Sequence, residues 1–294
     1  MKFLIKIFAF SFLVCSVLYI CSSRADAAAL RRKESAVSIL VVGFDTAPSN
    51  TDVLSVLSYD SESNTLNALQ IPRDTYIRYG EKSGKINGLY SYYVGNGASH
   101  AEALSSLCDT VSEALGVRLD GCVSFNREGF IETVDFLGGV DIYGKDLPQV
   151  LSFKEDDDGR IHFDGKEAFD LVRYRKEYQR GDLERLDVQK VFLKAFFEKL
   201  KGQREIFSLF KSLSGNENIY LSLDRGFYSS MLLENIFRAR SADIQIATLP
   251  GKSVKLDNIW YYSVLRNEAE ALVKGYFPYT HRDFDINNYF IDVN

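Results

Sequence analysis

The chain has 294 residues, of which 46% are hydrophobic and 26% charged, and 35 basic side chains face 40 acidic ones for a net charge of −5. This is the composition of a folded globular chain, and it excludes a disordered chain, a fibrous repeat and a multi-span membrane protein. The acidic balance argues against a nucleic-acid partner, which selects for a basic excess.

The chain opens with Lys2 and Lys6 around an apolar run, Ile7–Cys21, followed by polar Ser22, Ser23, Arg24 and Asp26. Residues 1–27 therefore read as an export segment in one of two forms. One is a signal peptide cleaved near Ala27, with small residues at Ala25 and Ala27. The other is an uncleaved signal anchor with its lysines inside. The expected location is the cell membrane, single-pass with the rest of the chain outside, or secretion after cleavage. Residues 28–36 are polar and small, a tether. Cys108 and Cys122 follow in the exported part, where an oxidising compartment permits a bridge; two separate buried thiols are the plainer reading. Three scattered histidines (His100, His162, His281) offer neither a zinc site nor a histidine-based triad.

Beyond the tether, Val37–Gly43 is a buried strand, and Phe44–Asn50 a loop. Asp52–Ser58 and Thr65–Ile71 are two strands around a turn at residues 60–64, and Pro72 ends the second. Tyr76–Gly97 is rich in Gly and Tyr and reads as loop. Ser99–Leu115 has helical spacing, with Gly116 closing it. Cys122–Phe125 reads as a strand, Arg127–Leu137 as a helix and Val140–Tyr143 as a strand. The acidic run at 155–159 reads as a solvated turn, because calcium-loop spacing is absent. Helices are expected at Gly165–Lys176, Leu183–Lys201, Phe207–Leu213 and Phe227–Ala239. A strand follows at Ile244–Leu249, closed by Pro250 and Gly251, and a final helix at Tyr262–Leu272. The uneven alternation implies one α/β domain with a mixed sheet between helices.

Two groups of residues carry candidate chemistry. Asp45 and Asp52 sit at strand ends. Two carboxylates there suit a hard cation such as Mg²⁺, which leaves coordination open for phosphate; they equally suit ordinary turns. Arg73, Arg173, Arg175 and Arg185 are basic, and the planar guanidinium fork matches phosphate oxygens. Arg173 and Arg175 cannot share a helix face. They either straddle a helix end or line two sides of a groove. A solvated charged surface laced with Glu177, Glu184 and Asp187 is the alternative. Taken together, the groups suggest a phosphate held between metal and arginine.

Several segments occur in an order that resembles the LytR-CpsA-Psr family of cell-wall glycopolymer ligases: ILVVGFDT, NTDVLSVLSYD, ALQIPRDTYI, KINGLYSYY, FNREGFIETVDFLGGVDIY, FDGKEAFDLVRYRK, GDLERLDVQKVFLKA and ATLPG. The resemblance covers residues 37–275, leaving 276–294 as a C-terminal tail. It implies a single α-β-α domain with a mixed central sheet. It implies a Mg²⁺-dependent phosphotransferase outside the membrane. Such an enzyme moves teichoic acid, capsular polysaccharide or another wall polymer from a polyprenyl-pyrophosphate carrier to peptidoglycan through a phosphodiester. By the resemblance, Asp45 and Asp52 hold Mg²⁺. Arg73, Arg173, Arg175 and Arg185 clamp the phosphates, Asp182 and Gln189 line the head-group site, and Asp182 orients or deprotonates the acceptor hydroxyl. The family has an arginine where this chain has Asn50, so one phosphate contact is missing or Lys85 replaces it. The carrier's tail would lie between sheet and helices, against the faces of 127–137 and 188–200, which equally read as plain core. Hydrolysis of the carrier pyrophosphate, or binding of the carrier without catalysis, are the alternative functions.

Overall fold

A computed structural model describes residues 36–44, 50–149, 151, 153–178, 180–202, 216–223, 242–277 and 289–291. The chain divides into Met1–Ala36 and Val37–Asn294, and the second unit carries the fold. The export segment, the tether up to residue 35, Asp45, the expected helices at 207–213 and 227–239, and residues 278–288 and 292–294 of the tail lie outside the described residues.

The strands are β1 (Ala36–Phe44), β2 (Thr51–Asp60), β3 (Thr65–Gln70), β4 (Tyr76–Tyr79), β5 (Lys82–Lys85), β6 (Gly121–Phe125), β7 (Val140–Tyr143), β8 (Arg160–Phe163), β9 (Ile219–Leu223), β10 (Asp243–Thr248), β11 (Gly251–Leu256) and β12 (Ile259–Val264). The helices are α1 (Leu89–Gly95), α2 (His100–Leu115), α3 (Arg127–Phe136), α4 (Gly165–Arg173), α5 (Asp182–Gly202) and α6 (Arg266–Tyr276). Six strands form the central sheet in the order β10-β3-β2-β1-β6-β9. It is mixed: β1 runs parallel to β6 and β10 parallel to β3, while β2 is antiparallel to β3 and β6 to β9.

Both faces of the sheet are covered, as strand alternation requires. Leu54, Val56 and Leu69 point to one face and meet Leu104, Leu107 and Val111 of α2 and Val273 of α6. Tyr59 and Leu66 have the opposite parity and meet Phe197 of α5. A second core lies beside the sheet, where Val134, Ile142, Phe163, Leu171, Val188 and Phe192 join α3, β7, β8, α4 and α5. The aromatic faces named above as a possible tail lining pack here against each other, with Phe130 and Phe192 ring centroids 5.3 Å apart. Cys108 and Cys122 are separate, buried thiols.

The segment at 76–97 is not a loop. It folds as the β4–β5 hairpin, a 3₁₀ turn at Ile86–Gly88 and α1. Gly80 turns the hairpin at φ 59°, where a side chain would be strained. The expected helix at 262–272 starts instead at Arg266, and Tyr262 belongs to the β11–β12 hairpin. Asp257 and Asn258, at φ 47° and 66°, make the two-residue turn of that hairpin. Strands β8 and β9 were not expected at all. The acidic run does form a turn, in which the Asp156 carboxylate accepts from the Asp158 and Arg160 amides and feeds the chain into β8.

Candidate active site

Three elements converge at one corner of the sheet. β3 ends at Gln70, and Pro72 then turns Arg73 out of the ladder. Asp52 lies one residue into β2, the neighbour of β3. Helix α5 supplies Asp182, Arg185 and Gln189 on one face, at i, i+3 and i+7. Gly181, at φ 56°, sets the turn into that helix.

A buried glutamine fixes this corner. Gln70 is 2% exposed. Its Nε2 donates to the Leu186 carbonyl of α5 at 3.3 Å, and its Oε1 accepts from Thr248 Oγ1 of β10 at 3.2 Å. The helix carrying Asp182 and Arg185 is thereby bonded to the strand that delivers Arg73. Gln189 makes the second tie, with Nε2 donating to the Val172 carbonyl at 3.0 Å, one residue before Arg173. That bond holds the end of α4 against α5.

The charged side chains form one chain of contacts. Arg73 Nη1 donates to Asp52 Oδ1 at 2.7 Å. Arg73 Nε stands 3.4 Å from Asp182 Oδ1, and Arg185 Nη2 stands 2.8 Å from the same oxygen. Asp182 thus lies between two guanidiniums. The fit is incomplete: Arg73 Nε, Arg185 Nε and Asp182 Oδ1 are buried without an aligned hydrogen bond. Buried polar groups are nearly always satisfied, so such a cluster is built for something besides itself.

The two arginines differ. Burial lowers the pKa of Arg73, but Asp182 and Asp52 outweigh it, and the net shift is upward. Arg185 is held below the ordinary arginine value, first by burial and then by repulsion from Arg73 and Arg175, with Asp182 opposing. Arg185 is therefore a cation short of negative charge. An anion entering here would relieve it.

The structure brings together Asp52, Arg73, Asp182 and Arg185, with Arg175 acting on Arg185 through its charge. It disperses the others. α4 stops at Arg173, and Tyr174 leaves it at ψ 138°, so Arg173 and Arg175 straddle a helix end. Arg173 lies over the Phe169 ring at 5.1 Å. Lys85 pairs with Asp74 at 2.7 Å and reaches over Tyr261. Asn50 accepts from Ser91 Oγ at 3.2 Å, beside α1. Asp45 lies outside the described residues. Among the described residues no three His, Cys, Asp or Glu side chains converge as a metal cage. Sequence reasoning missed Gln70. The signal was a long polar side chain in an otherwise apolar strand, just before Pro72.

A family model described as the LytR_cpsA_psr family matches residues 21–276. A protein of Oceanobacillus iheyensis named polyisoprenyl-teichoic acid–peptidoglycan teichoic acid transferase TagU is 30% identical over 253 residues, covering 83% of this chain and 76% of its own. A protein of the same name from Bacillus mycoides is 30% identical over 247 residues, covering 79% and 75%. Among solved structures, B. subtilis TagV superposes with a TM-score of 0.65 at 24% identity, over 84% of this chain and 99% of that one. TagT bound to LI-WTA gives 0.65 at 20% identity, over 84% and 92%. These two likenesses establish the α/β fold with its mixed sheet between helices.

Proposed function

The chain belongs to the LytR-CpsA-Psr family, and from that membership we propose that it transfers a glycopolymer, such as teichoic acid, from a polyprenyl-pyrophosphate carrier to peptidoglycan. The names of its relatives support the transferase class and the teichoic acid donor. The observation that carries the reading onto this chain is the Asp52–Arg73–Asp182–Arg185 cluster, with its unsatisfied guanidinium nitrogens at the end of β3.

Phosphoryl transfer asks a protein mainly for positioning and charge neutralisation. The acceptor hydroxyl attacks the phosphorus next to the sugar, a new P–O bond forms, and the bond to the bridging oxygen breaks. Polyprenyl phosphate leaves with that oxygen. Arg73 and Arg185 would hold the charge that grows on the leaving phosphate. Asp182 would accept the hydrogen bond of the incoming hydroxyl and receive its proton. Gln70 and Gln189 do not touch substrate in this reading; they hold α5 and α4 in place.

Charge arithmetic favours a metal. Arg73, Arg175 and Arg185 face Asp52 and Asp182, which leaves little excess for a pyrophosphate diester carrying two negative charges. Mg²⁺ is characteristically held by one or two carboxylates plus substrate phosphates. Asp52, paired with Arg73 and 23% exposed, fits that pattern, and Asp45 would join it. The bound ion would neutralise pyrophosphate oxygens. The N-terminal segment would keep the domain on the outer face of the membrane, where the carrier lies.

The test uses the full chain with a polyprenyl-pyrophosphate saccharide and peptidoglycan fragments, with mass spectrometry of the acceptor. Sugar phosphate should appear on the fragments with Mg²⁺, and should vanish with a chelator or in Arg73→Ala. Sugar phosphate released only to water would make the protein a hydrolase. Tight lipid binding without turnover would make it a carrier-binding protein.

A further inference from the structure

The β11–β12 hairpin is anchored beside the phosphate cluster. The Tyr262 amide donates to the Asp74 carbonyl at 2.8 Å, next to Arg73. Thr75 bridges to Tyr262, and the rings of Tyr76 and Tyr261 lie 4.3 Å apart. The far end of the hairpin is bare. Ile259 is 48% exposed and Trp260 58%, more than any other exposed large hydrophobic among the described residues. Single exposed apolar residues are ordinary. These two are consecutive in a strand, so they face opposite sides, and the tip is apolar on both. The tight turn at Asp257 and Asn258 fixes the pairs Leu256↔Ile259 and Lys255↔Trp260. The tip is therefore preorganised.

Its charge matches its shape. Lys255 stands exposed just behind the tip, its Nζ 6.0 Å from the Trp260 ring centroid, while Lys252 stands exposed at the root of the hairpin, opposite Ser263. The β4–β5 hairpin, joined through Tyr76 and Lys85, adds Arg78 and Lys82. Five basic side chains on the two hairpins face Asp74, Glu81 and Asp257, in a chain whose net charge is −5. An indole at the end of a rigid element, with lysines able to reach outward from apolar stems, is the chemistry of a membrane–water interface.

We propose that the β11–β12 hairpin is an interfacial wedge that seats the domain on an anionic lipid surface, with Trp260 and Ile259 among the head groups and Lys255 on a lipid phosphate. The inference stands on residues 251–264 and their neighbours. It survives even if the transferase reading fails.

Trp260 is the only tryptophan of the chain, so its emission reports this tip alone. The full chain is reconstituted in phosphatidylcholine vesicles with or without phosphatidylglycerol, using acyl chains brominated near the head group in a parallel set. In the anionic vesicles the emission should shift blue and brominated lipid should quench most of it. Each unit of charge near an anionic surface changes the preference about fivefold, so K255E, a reversal of two units, should lower the ratio of lipid-contacting to free Trp260 by about 25-fold. Ile259→Ser, which keeps the reporter, should also weaken quenching. Water-like, unquenched emission in every lipid would overturn the proposal. So would a blue shift that depends on protein concentration and ignores brominated lipid, which would assign the tip to a second copy. A shift produced equally by a soluble phosphate polymer without vesicles would overturn it in favour of polymer binding.

Discussion

Asp182→Asn separates the electrostatic account of the cluster from a merely structural one. Asp182 is the shared counter-ion of Arg73 and Arg185, at 3.4 Å and 2.8 Å. Removing one partner of a buried ion pair costs about 3–5 kcal/mol. The Asp182 side chain is 22% exposed and that of Arg185 4%, so solvent offsets part of the loss and about 2–3 kcal/mol is expected. For a domain of this size that corresponds to a melting temperature lower by about 5–10 °C. The same substitution removes a negative charge beside the proposed anion site. Inorganic pyrophosphate should then stabilise the variant more than the parent protein, because the anion supplies the missing counter-charge; saturation at a hundredfold excess over Kd contributes about 2.7 kcal/mol to either, so the difference appears as a lower half-saturation concentration. The assay is thermal unfolding against pyrophosphate concentration at fixed ionic strength, which keeps screening constant. Transfer activity should fall with the loss of the hydroxyl's acceptor. An unchanged melting temperature, or a pyrophosphate response no stronger than the parent's, would refute the reasoning.

Two further outcomes follow from the same coordinates. Gln70→Leu leaves the Leu186 carbonyl and the Thr248 hydroxyl without their partner, at a cost of about 1–3 kcal/mol in urea unfolding; because α5 is then free to shift against β3, transfer should fall by more than lipid binding does, and equal losses would make Gln70 a plain core residue. Burial pushes the Cys122 thiol up from 9.0 to about 11, with Asp109 adding, and burial likewise pushes the hydroxyls of Tyr178 and Tyr262 up to about 12. Folded-state values above the unfolded ones mean that this stability is complete below the unfolded values and is lost as pH rises through the folded ones. Melting temperature should therefore hold up to about pH 9 and fall between there and 12. Cys122→Val should flatten the first part of the fall, and a fall that begins at neutral pH would point to other groups.

The sequence made visible those parts whose signals are local. β1, β2 and β3 are apolar runs bounded by turn residues, and α2 carries both its periodicity and its ends, with Ser99 and Glu102 forming a capping box. The hairpins were missed for two different reasons. β5 is Lys-Ser-Gly-Lys, half exposed, with no apolar alternation to detect. Tyr262, Leu265, Ala269 and Leu272 happen to fit helical spacing, although a strand ends at Val264 and a helix starts at Arg266. The turn that decides the matter, Asp257–Asn258, carries no glycine. At the site, residue types were legible but partners were not. Asp182 and Arg185 lie three apart on one helix and could be paired by eye. That Arg73, from the end of β3, would share the same oxygen depends on Gln70 bonding α5 to the sheet, a tertiary contact without a local trace.

The sharing itself has a consequence for how Arg73 and Arg185 combine. In Arg73→Gln, Asp182 keeps Arg185 as its partner, and Arg185 is relieved of one repelling neighbour. In Arg185→Gln, Asp182 keeps Arg73. Each single loss is therefore cushioned twice, by the remaining pair and by the relief of repulsion. The double variant has neither cushion, and Asp182 is left as an unpaired, mostly buried carboxylate. The loss of Asp52's partner is common to Arg73→Gln and to the double variant, so it cancels in the cycle. Stability measured by urea unfolding should then fall in the double variant by about 1–2 kcal/mol more than the sum of the two single losses, within the range seen for residues that share a partner. Strict additivity would mean that the two arginines do not meet at Asp182 in solution. A double variant less harmed than the sum would mean that the two arginines support each other's contacts, so that either loss alone already breaks the cluster and the second adds little.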